Sequence, residues 1–153
     1  MPSDADLQFM RRALQLAHQA EAEDEVPVGA VLVTDGQVIG EGRNRPIASS
    51  DPCAHAELLA IRQACAKVGN YRIPGSTLYV TLEPCTMCAG VIIHARVQRL
   101  IFGAYDPKAG AVTSVYDIIA NPRLNHRVAW EGGIMQAECA QMLRQFFKRK
   151  RTK

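Results

Sequence analysis

The stretch Val80-Thr81-Leu82-Glu83-Pro84-Cys85-Thr86-Met87-Cys88-Ala89-Gly90 leaves this chain fewer alternatives than any other. An apolar strand runs into Pro84 and then into two cysteines three apart. Proline favours the first position of a helix, where its missing N–H would be unpaired in any residue. The spacing predicts a helix over 84–94, with Cys85 and Cys88 on one face of its opening turns. Thiolates there sit near the positive end of the helix macrodipole, worth roughly 0.3–1 kcal/mol per charge. That lowers thiol pKa and favours the metal-binding form. A shorter stretch upstream, Cys53-Ala54-His55-Ala56-Glu57, repeats the device. Asp51 is a capping residue, Pro52 suits the first helical position, and His55 falls in the first or second turn of a helix over 52–68. Glu57, two residues on, points away from His55, so it is no fourth ligand but is able to reach water or substrate beside a metal.

Each half alone is weakly specific. A Cys-x-x-Cys pair fits a redox couple or half a structural zinc site, and a lone His in an apolar helix is more often packed than ligating. Joined, they supply three protein ligands, His55, Cys85 and Cys88, with one position open for water, which is the pattern of a catalytic zinc. A structural zinc closes its shell with a fourth protein ligand, and no further Cys or His flanks either stretch. One Zn2+ is expected, with Glu57 as general acid and base. The remaining cysteines, Cys53, Cys65 and Cys139, have no partner pattern and read as small buried hydrophobes in a reducing compartment.

Around these stretches the chain reads as alternating elements. Ser3 begins a capping signal, and Leu7, Met10, Leu14 and Ala17 recur at helical spacing. The acidic run Glu21, Glu23, Asp24 and Glu25 is expected to be that helix's solvated end and a loop. Strands are expected at 28–34 and 37–41, joined by the Asp35-Gly36 turn, then at 77–82 and 99–103, and at an edge, 128–130. A helix between the third and fourth strands makes that pair parallel. Gly42 to Ser50 reads as a polar loop; Asn44 within it reads, on composition alone, as a turn-former. Asp106 to Thr113 reads as a mobile or ligand-facing loop, or as an ordinary one in which Asp106 starts a turn. Ser114 to Ala120 is expected to be a short helix. The last helix carries Met135, Cys139, Met142 and Phe146 as a core stripe, with Arg144, Lys148 and Arg151 on another face. The expected fold is a three-layer α/β/α domain with a mixed, roughly five-stranded sheet, one domain over 1–153 with a basic helix end at 144–153.

The residues flanking the metal motif narrow the family. Pro27-Val28-Gly29-Ala30-Val31, Gly42-Arg43-Asn44-Arg45-Pro46-Ile47, Ile93-His94-Ala95-Arg96 and Ile101-Phe102-Gly103-Ala104-Tyr105-Asp106-Pro107-Lys108-Ala109-Gly110 surround it. With His-x-Glu and Pro-Cys-x-x-Cys, the signature of zinc nucleobase deaminases, the chain closely resembles the bacterial tRNA-specific adenosine deaminases. The likeness runs from the first helix to Phe146-Phe147. It implies a cytidine deaminase-like fold, a homodimer with one zinc per subunit, and hydrolytic conversion of adenosine to inosine at the wobble position of a tRNA anticodon stem-loop. It also implies that Asn44 contacts the target nucleoside, Ala56 offers its backbone N–H to the base, Val28 lines the base pocket and Asp106 contacts the neighbouring RNA.

Composition adds limits. The net charge of +3 does not by itself argue for nucleic acid, but Lys148, Arg149, Lys150, Arg151 and Lys153 close the chain. Such an end complements the macrodipole and stays solvated, or, beside Phe147, holds an RNA backbone and stacks a base. The residues alone weigh these equally, and the resemblance favours RNA. The start, Met1-Pro2-Ser3-Asp4, has no signal-peptide pattern, and no apolar run is long enough to span a bilayer. A cytoplasmic enzyme without membrane contact is expected. Its rivals are a deaminase of free bases or nucleosides, and a silent zinc protein, which would have no use for Glu57.

Overall fold

The computed structural model describes residues 2–152; Met1 and Lys153, the last cation of the basic run, lie outside the described residues. Helix α1 (Asp4–Ala22) leads into a hairpin of β1 (Gly29–Thr34) and β2 (Gln37–Arg43). A one-turn helix α2 (Pro46–Ser49), α3 (Ala56–Val68), β3 (Thr77–Leu82), α4 (Thr86–His94), β4 (Arg99–Ala104), β5 (Ala129–Glu131) and α5 (Gln136–Arg151) follow. The five strands form one sheet in the order β2-β1-β3-β4-β5. β1 runs antiparallel to β2 and β3, whereas β3–β4 and β4–β5 are parallel. The mixed five-stranded sheet, its parallel β3–β4 pair and the α/β class agree with the sequence.

Alternation along the strands makes the three layers. Leu32, Leu78, Val80, Leu100 and Phe102 turn to one face, where they meet Ala56, Ile61, Ala89 and Ile92 of α3 and α4. Val31, Val33, Tyr79 and Ile101 turn to the other, against Met10, Leu14 and Ala17 of α1 and Cys139 and Met142 of α5. Strand β2 lies close under α3 because Gly40 and Gly42 carry no Cβ; one there would overlap the carbonyls of Ala60 and Ala56. That approach fixes where α3 begins.

Helix α1 is tied to the sheet through its cap. Ser3 and Asp6 form a capping box, Asp6 N–H donating to Ser3 Oγ at 3.0 Å and Ser3 N–H to Asp6 Oδ2 at 3.1 Å. Asp6, buried at 3% exposure, also accepts from Tyr79 Oη at 2.7 Å and from the two terminal guanidinium nitrogens of Arg99 at 3.0 and 2.9 Å. The Arg99 hydrogen bonds hold its carboxyl well below the usual carboxylate range, against the effect of burial.

Local structure departs from the sequence reading in several places. Asp51 and Pro52 do not open α3: Asp51 Oδ1 takes the Cys53 N–H at 2.9 Å in a turn of its own, and His55 is the N-cap, with extended backbone. Likewise Pro84 precedes the cap of α4, which is Cys85. The polar loop at 42–50 contains α2, whose first turn is held by the buried Glu25 carboxylate, accepting from Ile47 N–H at 3.2 Å and Ala48 N–H at 2.7 Å. The acidic run is therefore not simply solvated. Glu25 is 2% exposed, Glu23 pairs with Arg43, and Asp24 and Glu21 pair with Lys150 and Arg149. Residues 114–120 form no helix: the Ile118 N–H, which would close the first helical turn on Ser114 O, donates to Ala111 O at 3.1 Å instead. Only Cys139 of the three spare cysteines is fully buried; Cys53 and Cys65 are half-buried.

Asp6→Asn is expected to destabilise the protein by about 2–3 kcal/mol in urea unfolding at pH 7, from lost charge-assisted bonds and a weakened cap. Because the folded pKa is depressed, this advantage is fully present above the unfolded value near 3.9 and shrinks as pH falls toward the folded value. Wild type and variant should converge in strongly acid solution; a gap independent of pH would show that the charge of Asp6 is not what stabilises.

Candidate active site

The metal motif assembles where α3 and α4 begin on the same face of the sheet. His55 and Cys85 are the two N-caps, and neither side chain makes a capping hydrogen bond. Cys88 follows in the first turn of α4 and is buried. His55 Nδ1 lies 3.5 Å from Cys85 Sγ and 3.7 Å from Cys88 Sγ, and the three ligand atoms are all within 4.8 Å of one another. Ligands tetrahedrally placed at zinc bond lengths of about 2.0–2.3 Å stand roughly 3.5–3.8 Å apart. Two sulfurs and an imidazole therefore already occupy zinc geometry, and this donor set, with no fourth His, Cys, Asp or Glu in the group among the described residues, suits an ion that keeps one position open.

The electrostatics agree. A hydrogen bond from the Cys88 thiol holds Cys85 down to about 4 against the effect of burial, with His55 assisting. Its bond to Cys85, together with burial, holds Cys88 well up. The Cys85 sulfur draws the His55 imidazole up against burial. Two thiolates this close repel, so one retains its proton; a divalent cation between them removes that penalty, and binding releases the proton. Glu57 is 4% exposed and in hydrogen-bond contact with Cys88. Burial pushes its carboxyl up to about 7.

Asn44, at the end of β2, joins this centre. Its Oδ1 accepts from Ala56 N–H at 2.9 Å, and its own N–H donates to the Val28 carbonyl at 3.1 Å. Asn44, Ala56 and Val28 therefore form one bonded unit beside His55 and Glu57. The Ala56 N–H expected to meet a base is held by Asn44, whose amide is thereby oriented with its NH2 as the donor available to a ligand.

Asp106 and Phe147 lie apart from that unit, on the walls of an open groove of about 1120 Å³. Its lining includes Leu82, three residues before Cys85, and Val26, but none of His55, Glu57, Cys85 and Cys88, and Arg144, Lys148, Lys150 and Arg151 line its α5 side. Phe147 is 45% exposed there. Two buried acids, Glu25 and Glu83, were given no role by the sequence. The signal was present for Glu83: a carboxylate directly after a buried strand must find partners inside.

Comparison with known proteins places this geometry. The cytidine and deoxycytidylate deaminase zinc-binding region matches residues 3–104. The chain is 51% identical over 150 residues to a tRNA-specific adenosine deaminase of Haemophilus influenzae, covering 97% of this chain and 87% of that protein. A structure solved in studies of A-to-I editing by tRNA:A34 deaminases at the wobble position of transfer RNA has a TM-score of 0.86 at 48% identity, over 89% of this chain and 99% of that one. A guanine deaminase from Bacillus subtilis has a TM-score of 0.64 at 36% identity, over 81% of this chain and 82% of that one.

Cys88→Ser is expected to bring zinc well below one per chain by elemental analysis and to lower the melting temperature with it, since binding free energy here is folding free energy. A full zinc complement in the variant would contradict the ligand assignment.

Proposed function

The chain belongs to the cytidine and deoxycytidylate deaminase family and, within it, to the tRNA-specific adenosine deaminases, and from that premise we propose that it hydrolyses adenosine to inosine at the wobble position of a tRNA anticodon. The observation that carries this reading is a three-ligand cluster with a buried carboxylate beside it, in a chain that also carries a cation-lined groove. Deamination of a free base would need the cluster and the carboxylate but not the groove, which suits a nucleic-acid strand.

His55, Cys85 and Cys88 would hold the ion, which would supply Lewis acidity at its open position. Glu57 takes the proton from the attacking water and delivers it to the adenine ring nitrogen. Glu57, again a carboxylate, then takes the proton of the new C6 hydroxyl and passes it to the amine. As the C6–N6 bond breaks, ammonia leaves and the C6 carbonyl of inosine forms. Asn44, fixed by Ala56 and Val28, holds the target nucleoside, and Val28 closes the base pocket. The base must leave its stack to enter, which costs least in an unpaired loop. Asp106 and Lys108 on one wall and Phe147, Arg144, Lys148 and Arg151 on the other take the flanking nucleotides, by charge and by stacking.

The whole chain acts as one deaminase domain and pairs with a second copy, one zinc in each. Helix α4 supports this: it is apolar nearly throughout, yet only Cys88, Ala89 and Ile92 are buried, and the space around Gly90 is open. No helix among the described residues is long and apolar enough to cross a membrane. The reaction belongs in the cytoplasm, where tRNA is.

Incubation with an anticodon stem-loop, and separately with free adenine, guanine and cytosine, tests the reading by inosine and ammonia assay. Inosine in the stem-loop alone is expected; release of ammonia only from a free base would overturn it. Glu57→Ala should retain zinc and fold while losing about 10⁴-fold or more in kcat, and substantial residual turnover would remove Glu57 from its role. Deleting Lys148 to Lys153 should weaken stem-loop binding and lower the slope of log K against log salt by about 2. An unchanged slope would make the tail ordinary solvated surface.

A further inference from the structure

We propose that Glu83 is a positioning residue through which the metal-bearing turn sets the wall of the RNA groove, an inference that rests on the deaminase reading above. Glu83 is 2% exposed and directly follows β3, two residues before Cys85. Its carboxylate collects donors from one distant loop. Oε1 accepts from Asp106 N–H at 3.0 Å and from the Ser114 hydroxyl. Oε2 accepts from the N–H groups of Val112, Thr113 and Ser114 at 3.1, 2.9 and 3.0 Å. The adjoining backbone completes the tie: Glu83 N–H donates to Ala104 O, and Ala111 N–H to Pro84 O, each at 2.8 Å. Residues 104–114 are therefore wrapped around the two residues that precede the first cysteine ligand. They wrap it closely enough that a Cβ at Gly110 would overlap the Glu83 carboxyl group.

The other side of the same loop is the groove wall, where Asp106, Pro107 and Lys108 face Arg144, Phe147, Lys148 and Arg151 of α5. Within the loop, Asp106 Oδ1 accepts from the N–H groups of Lys108 and Ala109 at 3.0 and 3.2 Å. The Asp106 side chain thus moves only with the loop, and the loop is placed by Glu83. Buried N–H groups left unpaired are costly, so losing the carboxylate displaces the wall rather than leaving it in place. A nucleotide on this wall and a base at the metal centre are thereby held in fixed relation by one side chain that touches neither.

A purely structural carboxylate would lower melting temperature, zinc content and kcat together, whereas a positioning one acts on substrate binding through Asp106. Glu83→Gln and Ser114→Ala, each alone and combined with Asp106→Ala, are assayed as zinc-loaded full chains on an anticodon stem-loop. Each single variant should raise KM by about tenfold with kcat little changed and one zinc per chain. In the Asp106→Ala background the same substitution should add less than about twofold. Should Glu83→Gln not fold, Ser114→Ala decides by the same criteria, because it leaves the carboxylate and the metal ligands in place. Unchanged KM, a fall in kcat or zinc at unchanged KM, or effects that multiply in full with Asp106→Ala would overturn the inference while leaving the deaminase reading intact. A parent chain inactive on the stem-loop would overturn both.

Discussion

Two helices begin at the metal site, and each begins on a residue whose side chain is turned away from capping it. An N-cap is ordinarily Ser, Thr, Asp or Asn, whose oxygen satisfies a free N–H of the first turn, and losing that costs about 1 kcal/mol. His55 and Cys85 forgo it. What the site gains is a nitrogen and two sulfurs converging at zinc distances, near two positive helix ends that favour thiolate. Asn44 offsets part of the loss by accepting from Ala56 N–H. The sheet makes the convergence possible: α4 follows central β3 directly, and α3 is drawn onto β2 across Gly40 and Gly42.

Among the described residues four side-chain carboxylates are buried, and their surroundings divide them by task. Asp6, Glu25 and Glu83 each gather donors from a segment remote in sequence, fixing respectively α1 to the sheet, α2 to the end of α1, and the 104–114 loop to the metal turn. For Asp6 and Glu83 these donors outweigh burial and hold the carboxyl down, in its charged form. Glu57 lies in the opposite environment. Burial dominates there and lifts it to about 7, the condition of a group that exchanges protons rather than one that anchors a chain.

The gathering of His55, Cys85 and Cys88 into one group that could hold a metal was legible because such chemistry demands fixed spacings, and the sheet because its strands are short apolar runs between turn residues. Less legible was anything decided by a partner far along the chain. Asp51-Pro52 and Pro84 look like helix starts, yet each helix begins later, because the cap position went to a metal ligand. Residues 114–120 have a helix-compatible composition, but Ala111 takes the Ile118 N–H that would close the first turn. The acidic run at 21–25 reads as solvated when its partners, Arg43, Ile47, Ala48 and Lys150, are unseen. Charge and polarity on their own do not reveal which carboxylates are inside.

The central claim is that one nitrogen and two sulfurs hold an ion that keeps a place for water beside Glu57. X-ray absorption at the zinc edge of the loaded protein tests it most directly. The expected shell is two sulfurs at about 2.3 Å with one imidazole nitrogen and one oxygen at about 2.0–2.1 Å. A shell of four protein nitrogen and sulfur ligands with no oxygen would mean a closed, structural ion and would contradict the account.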